Sequence, residues 1–413
     1  MADPAASLYD WNEKERHGPL LREPPRFVDE TLCHGLHAPA ARNPDIEQKM
    51  GLVRLMEKLG IDAVELGMPA ASRREHDDVE RLARMIVEEH LHIRPGCAAG
   101  ATEAEIRPIL EISQRVGTAI EAGITVASSP VRSLAPRWDI AAMRAAAHSA
   151  MALVVANSLP AALRTEDATR AHPRLLDGLF RAAIDGGATR VVLCDSTGHA
   201  TPDGLRSLVG FTRSVLRALD VEDRVELDWY GHDDRGLSLV LGLFALEHGV
   251  DRIHACALGL GERAGSTPMD LLLLNLYLLG QLDAERHDLA SLVQYVQAAS
   301  ECTQVAIPPS YPLTGRDAFR TALGVHADAV LEAEGKGDFE LADRVFSSVP
   351  ARAFGRQHEI DVGPDSRPSN VAHWLRRRGI EVTDAVVTRV LDVAVRERRV
   401  LTGDEIETLT RLA

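Results

Sequence analysis

A chain of 413 residues with 45% apolar and 26% charged side chains has room for one large domain and a smaller one, in ordinary globular proportions. Its net charge of −15 and lack of a basic block argue against nucleic acid and anionic membranes as partners, since both call for a positive face. No run approaches the about 18 apolar residues of a membrane span, the opening segment lacks a signal-peptide core, and five scattered cysteines form no disulfide or zinc-ribbon pattern, so a reducing cytoplasm is the expected location.

Short β-rich runs then alternate with amphipathic helical segments. In chain order the runs are "RFVDETL", "DAVELGM", "HIRPGCAA", "AIEAGITVAS", "ALVVANS", "RVVLCDS", "RVELDWYGH" and "RIHACALGL". Helical patterns such as "DIEQKMGLVRLMEKLG" and "LRSLVGFTRSVLRAL" lie between them. Eight such alternations predict parallel strands, each followed by a helix, and the simplest closed form is a (β/α)8 TIM barrel. A doubly wound open sheet is the competing arrangement. The expected division is an N-terminal arm at 1–25, a catalytic barrel at 26–285, a linker with a helical subdomain at 286–350, and a small helical subdomain at 351–413.

Chemistry in such a barrel sits at the C-terminal ends of the strands. That rule gathers Cys33, His34 and His37 from the first strand, Glu65 from the second and Arg132 after the fourth. The fifth contributes Glu166 and Asp167, the sixth Asp195 and Ser196, and the seventh Tyr230, His232, Asp233 and Asp234. The eighth runs into "GLGERAG". The four lysines, Lys14, Lys49, Lys58 and Lys336, fall outside the strand-like runs, which disfavours a Schiff base.

These segments resemble the acyl-CoA-dependent condensing enzymes that make isopropylmalate, citramalate and homocitrate, which share a metal-dependent barrel with hydroxymethylglutaryl-CoA lyases. "VELGMPAAS" is similar to the family's E-x-G-F-P strand, "TEDATR" to S-x-E-D-A-x-R, and "CDSTGHATP" to P-D-T-x-G-Y-x-T-P. "GHDDRGLSL" resembles H-[ND]-D-x-G-L, and "GLGERAG" resembles G-x-G-E-R-x-G. Beyond the barrel, "LTGRDAFRTALGVHADAVLEA" resembles the segment carrying a catalytic histidine, here His326. The shared order of these motifs carries the assignment. A leucine-sensing domain is not expected.

The departures are concentrated at the metal. The family's D-x-T-L-R-D-G-x-Q reads "DETLCHGLH" here. Cys33 stands for the arginine that stabilises the enolate, His34 for a metal aspartate and His37 for the glutamine. Tyr230 replaces the first histidine of a metal-binding H-x-H, leaving His232, and Leu258 replaces an asparagine. Arg132 takes the place of a histidine.

The resemblance implies an acyltransferase that condenses an acyl-CoA, most simply acetyl-CoA, with a 2-oxo acid to give a 2-hydroxy-2-alkyl dicarboxylate. Glu166, His326 and Tyr230 are the catalytic candidates. Arg132, Ser196, His37 and Glu65 are candidates for holding substrate, and Gly261, Glu262, Arg263 and Gly265 for coenzyme A. Two readings of His34 and His232 stay open. They bind a softer divalent ion, or they join Tyr230 in a metal-free polar network. Cys33 is either a nucleophile or a small buried thiol. Asp233 and Asp234 are expected to orient His232 and cap the loop after the seventh strand, in preference to binding metal. A homodimer is expected. A lyase on the same barrel, or a paralogue that binds without catalysis, are the other functions open at this point.

Overall fold

Eight parallel strands close on themselves in sequence order: β1 (Arg26–Asp29), β2 (Ala63–Glu65), β3 (Arg94–Gly100), β4 (Glu121–Ala127), β5 (Ala161–Glu166), β6 (Arg190–Asp195), β7 (Glu226–Gly231) and β8 (Arg252–Ala255). This is a computed structural model, and it describes residues 11, 12, 21, 23–131, 139–283 and 285–411. Closure is made by β1, which pairs Val28 with Ala63 on β2 and Val28 with His254 on β8. The TIM barrel expected from the alternation is therefore the fold, and the open sheet is not.

The helices following the strands are α1 (Ile46–Lys58), α2 (Arg73–Glu88), α3 (Glu103–Val116), α4 (Ile140–Ala156), α5 (Pro173–Asp185), α6 (Pro202–Ala218), α7 (Ser238–Glu247) and α8 (Met269–Leu278). Their starts follow from local chemistry. Asp45 and Gln48 form a capping box on α1, and Thr201 caps α6, where Pro202 occupies a first-turn position needing no N–H. The strands are buried on both sides, with apolar residues such as Ile124, Leu163, Val191 and Ile253 fully enclosed. A ninth helix, α9 (Leu292–Thr303), packs on α1, and its Tyr295 hydroxyl donates to Asp29 at the end of β1. Burial raises the Asp29 carboxyl to a pKa of about 6.

By its internal contacts the chain forms one unit from Arg16 to Ala306 and a second containing Ile307–Ala413. The second holds α10 (Gly324–Gly335), α11 (Phe339–Arg344), α12 (Pro368–Arg376), α13 (Asp384–Glu397) and α14 (Gly403–Arg411). Val371, Trp374, Leu375, Val387, Val390 and Ile406 supply a separate small core there. Among the described residues, no helix is long and apolar enough to cross a membrane.

Candidate active site

Side chains alternate along each strand, so residues two apart share a face. On β5 that rule stacks Arg164 beneath Glu166, and on β7 it stacks Asp228, Tyr230 and then His232 just past the strand end. All point into the barrel, and the upper members surround a cavity of about 120 Å³ at its C-terminal mouth. His34, His37, Glu166, Ser196, Tyr230, His232, Glu262 and Arg263, all expected from the sequence, line it together with Thr125, Arg164 and Cys194.

The other expected residues lie elsewhere. Glu65 is 5% exposed and sits below the cavity, where Arg164 Nη1 donates to its Oε2 at 2.9 Å. Gly261 and Gly265 shape the rim loop without lining the cavity. Gly265 has φ +90°, and a Cβ there would sit 2.0 Å from the Gly259 carbonyl oxygen, so the turn admits no side chain. Arg132 lies outside the described residues. His326 belongs to the second unit, on α10, where its ring stacks on Phe346 with centroids 3.8 Å apart.

Local structure fixes the mouth residues. Asp167 takes a left-handed conformation at φ 64° and is clamped by Arg170 and by the Ser129 hydroxyl. Its backbone N–H donates to Ser196 Oγ at 2.9 Å. Arg263 pairs with Asp234 and donates to the Ser196 carbonyl, tying the rim loop to β6. Of the two roles expected for Asp233 and Asp234, capping is seen, and no hydrogen bond from either to His232 is found among the described residues. Asp233 caps α7 through the Ser238 N–H, Asp234 is engaged by Arg263, and His232 Nδ1 faces the Gly265 carbonyl at 3.2 Å. Burial, with the Arg263 cation nearby, lowers the His232 pKa to about 4, so its ring is neutral at pH 7.

Beneath the mouth runs a charged column. Asp228 faces His254 Nε2 at 3.0 Å, and His254 Nδ1 faces Glu30 Oε1 at 2.7 Å. Arg164 Nη2 donates to Glu30 Oε1 at 2.6 Å, and His34 Nδ1 lies 2.6 Å from Glu30 Oε2. One guanidinium thus stands between two buried carboxyls. Burial opposes ionisation of both, but Arg164 and His34 hold Glu30 well below the usual carboxylate range. Glu65, with burial and the Glu30 charge against it, rises to about 8 and keeps its proton at neutral pH. Burial also pushes the Cys33 thiol and the Tyr230 phenol well upward, so Cys33 is a buried thiol and not an activated nucleophile.

The resemblance implies a divalent metal, and the residues do not fit a hard one. Neutral His34, phenolic Tyr230, neutral His232 and aliphatic Leu258 occupy the corresponding positions, so no carboxylate remains in the shell. The Tyr230 ring stands between the two imidazoles, its centroid 5.5 Å from that of His34 and 5.2 Å from that of His232. Among the described residues, the group of three donors close enough to share an ion is Glu30, Cys33 and His34. There both Glu30 oxygens are already engaged, the thiol holds its proton, and the Arg164 cation is adjacent.

Arg164, Glu30, His254 and Asp228 were not among the site residues read from the sequence. The signal was present: a charge inside a short apolar strand is costly unless paired, and "ALRTE", "RIHA" and "ELDWYGH" all carry charged residues among apolar ones.

A parallel barrel with a polar cavity at the strands' C-terminal ends is an enzyme architecture. Residues 24–300 match the HMGL-like family, and the chain belongs to that family. It is 26% identical to the homocitrate synthase AksA of Methanopyrus kandleri over 388 residues, covering 93% of this chain and 91% of that protein. It is 25% identical to the 2-isopropylmalate synthase of Pyrococcus abyssi over 396 residues, covering 93% and 76%. Among solved structures, the HMG-CoA lyase from Brucella melitensis superposes with a TM-score of 0.56 at 17% identity, covering 68% of this chain and 99% of that one, a likeness of fold.

Proposed function

We propose that the chain is an acyltransferase that joins the α-carbon of an acyl-CoA, most simply acetyl-CoA, to the carbonyl carbon of a 2-oxo acid. A base removes a proton from the carbon next to the thioester. The resulting carbanion adds to the acceptor carbonyl, whose oxygen takes up a proton, and water then cleaves the thioester to release coenzyme A. The product is a 2-hydroxy-2-alkyl dicarboxylate.

The observation that carries this reading is the convergence of Glu166, Ser196, Tyr230 and His232 on one small cavity beside the Glu262–Arg263 rim loop. Its size suits a small acceptor, and its neutral imidazole and phenol can hydrogen-bond an oxo acid. Glu166 and His326 are assigned the proton transfers. Ser196 and His37 hold the acceptor, Arg132 clamps its carboxylate, and Gly261, Glu262, Arg263 and Gly265 form the coenzyme A loop. His326 acts across a homodimer in this reading, which light scattering on the active protein tests. The decisive experiment is release of free thiol from acetyl-CoA across a panel of 2-oxo acids, with the product identified by mass. Thiol release that depends on one acid supports the reading. Cleavage of a hydroxyacyl-CoA without any condensation overturns it.

A further inference from the structure

We propose that Arg164 is a substrate-contacting residue: its guanidinium and the Tyr230 hydroxyl together bind the oxygens of the 2-oxo acid, and the oxyanion formed from it, without a divalent ion. The inference rests on the condensing reading for the identity of the acid.

Four observations converge on it. First, Arg164 is 2% exposed yet borders the mouth cavity, so its charge lies at the cavity floor. Second, the barrel is cleared for it. A Cβ on Gly123 of β4 would come within 3.0 Å of Arg164 Cδ, and the neighbouring Cys33 and Cys194 are small. Third, its direction is fixed by Glu65 at 2.9 Å and Glu30 at 2.6 Å, an arrangement that holds a guanidinium still without bulk water. Fourth, the Tyr230 hydroxyl is buried on the same cavity with no hydrogen-bond partner among the described residues, and the Arg164 guanidinium carbon lies 5.6 Å from its ring centroid. A buried hydroxyl without a partner is costly to leave so, and a ligand oxygen supplies what it lacks. An arginine and a phenol on one small cavity match an anion with two or more oxygens, as a 2-oxo acid is.

The donor set at the mouth does not fit a hard ion, and the Arg164 guanidinium is a fixed positive charge at the floor, as Arg263, held by Asp234, is at the rim.

The test is calorimetric binding of pyruvate, 2-oxoglutarate and oxalate to the full chain after exhaustive chelation, with no acyl-CoA present. The wild type is expected to bind at least one of them. Arg164→Lys, which keeps the charge but loses the planar fork, should weaken it roughly 10-fold or more. Tyr230→Phe should weaken it by a comparable factor with an unchanged melting temperature, since the hydroxyl makes no hydrogen bond among the described residues. Wild-type affinity in both variants, or binding of no acid until magnesium is restored, overturns the inference. Because the assay needs no acyl-CoA, Arg164-dependent binding with no thiol release would sink the condensing reading and leave this one standing. Thiol release that is indifferent to Arg164→Lys and Tyr230→Phe would do the reverse.

Discussion

The two ends of the barrel interior handle buried charge in opposite ways. At the N-terminal end Asp228 receives Arg190 at 2.8 Å and Arg252 at 2.9 Å, and Glu121 receives Arg252 at 2.7 Å and Arg190 at 3.2 Å. Three acids, Asp228, Glu121 and Glu226, meet the two guanidiniums, and the resulting field holds Asp228 far below its ordinary pKa. At the floor of the mouth the Arg164 guanidinium is divided between two carboxyls, while Tyr230 Oη and Glu65 Oε1 lack hydrogen-bond partners among the described residues. A closed network of charges stabilises the fold and leaves nothing to offer a ligand. An open one is a poor way to hold a barrel together and a good way to bind something. His254, facing Glu30 on one side and Asp228 on the other, joins the two.

If that contrast is right, the largest effect of substitution on stability belongs to the lower end. Asp228→Ala leaves two buried guanidiniums short of a counter-charge and should cost about 3–5 kcal/mol in urea unfolding. At the mouth the pattern inverts. Glu166→Gln should lower turnover roughly 100-fold or more with an unfolding midpoint close to wild type, and His326→Ala, in the second unit, should do the same in the proposed mechanism. Wild-type rates in both would show that the assigned proton transfers are wrong.

A subtler contrast concerns protons. The folded Glu65 holds its proton up to about pH 8, whereas an unfolded glutamate releases it near pH 4.5. Between these values the folded state binds more protons than the unfolded one, so stability from this group falls as pH rises from about 4.5 to about 8 and is flat above. Glu65→Gln should remove that slope, read as the difference between unfolding free energies at pH 5 and pH 8. An unchanged slope would mean that Glu65 is ionised in the fold. The smallest effect is expected for Gly123→Ala, whose methyl must displace Arg164 by a few tenths of an ångström. It should raise the acceptor KM several-fold and leave the coenzyme KM alone.

Much of this was legible in the sequence because β/α alternation is a periodic signal and barrel geometry maps strand ends onto one face. That was enough to bring His34 and His37, Glu166, Ser196, Tyr230 and His232 to one place from four distant segments. What the sequence hid is what the closed barrel decides. Arg164 reads as one polar residue in "ALRTE", and only the parity of β5 and the opening at Gly123 put its charge at the cavity floor. Glu30 occupies a variable position between two motif residues, yet it receives Arg164 and faces His34 and His254. Asp233 and Asp234 were half legible: capping of the loop after β7 was expected and is seen at Asp233, whereas proximity in sequence also suggested that they orient His232, whose Nδ1 faces Gly265 while Asp234 is held by Arg263.

The account's central claim is a condensing site whose fixed positive charge is a guanidinium. Its most direct test is thiol release from acetyl-CoA with the responsive 2-oxo acid, measured after exhaustive chelation and again after single divalent metals are returned. The account predicts full turnover in chelator, unchanged by magnesium or manganese, and strongly reduced turnover in Arg164→Lys. Turnover that vanishes on chelation and returns with magnesium alone would contradict it.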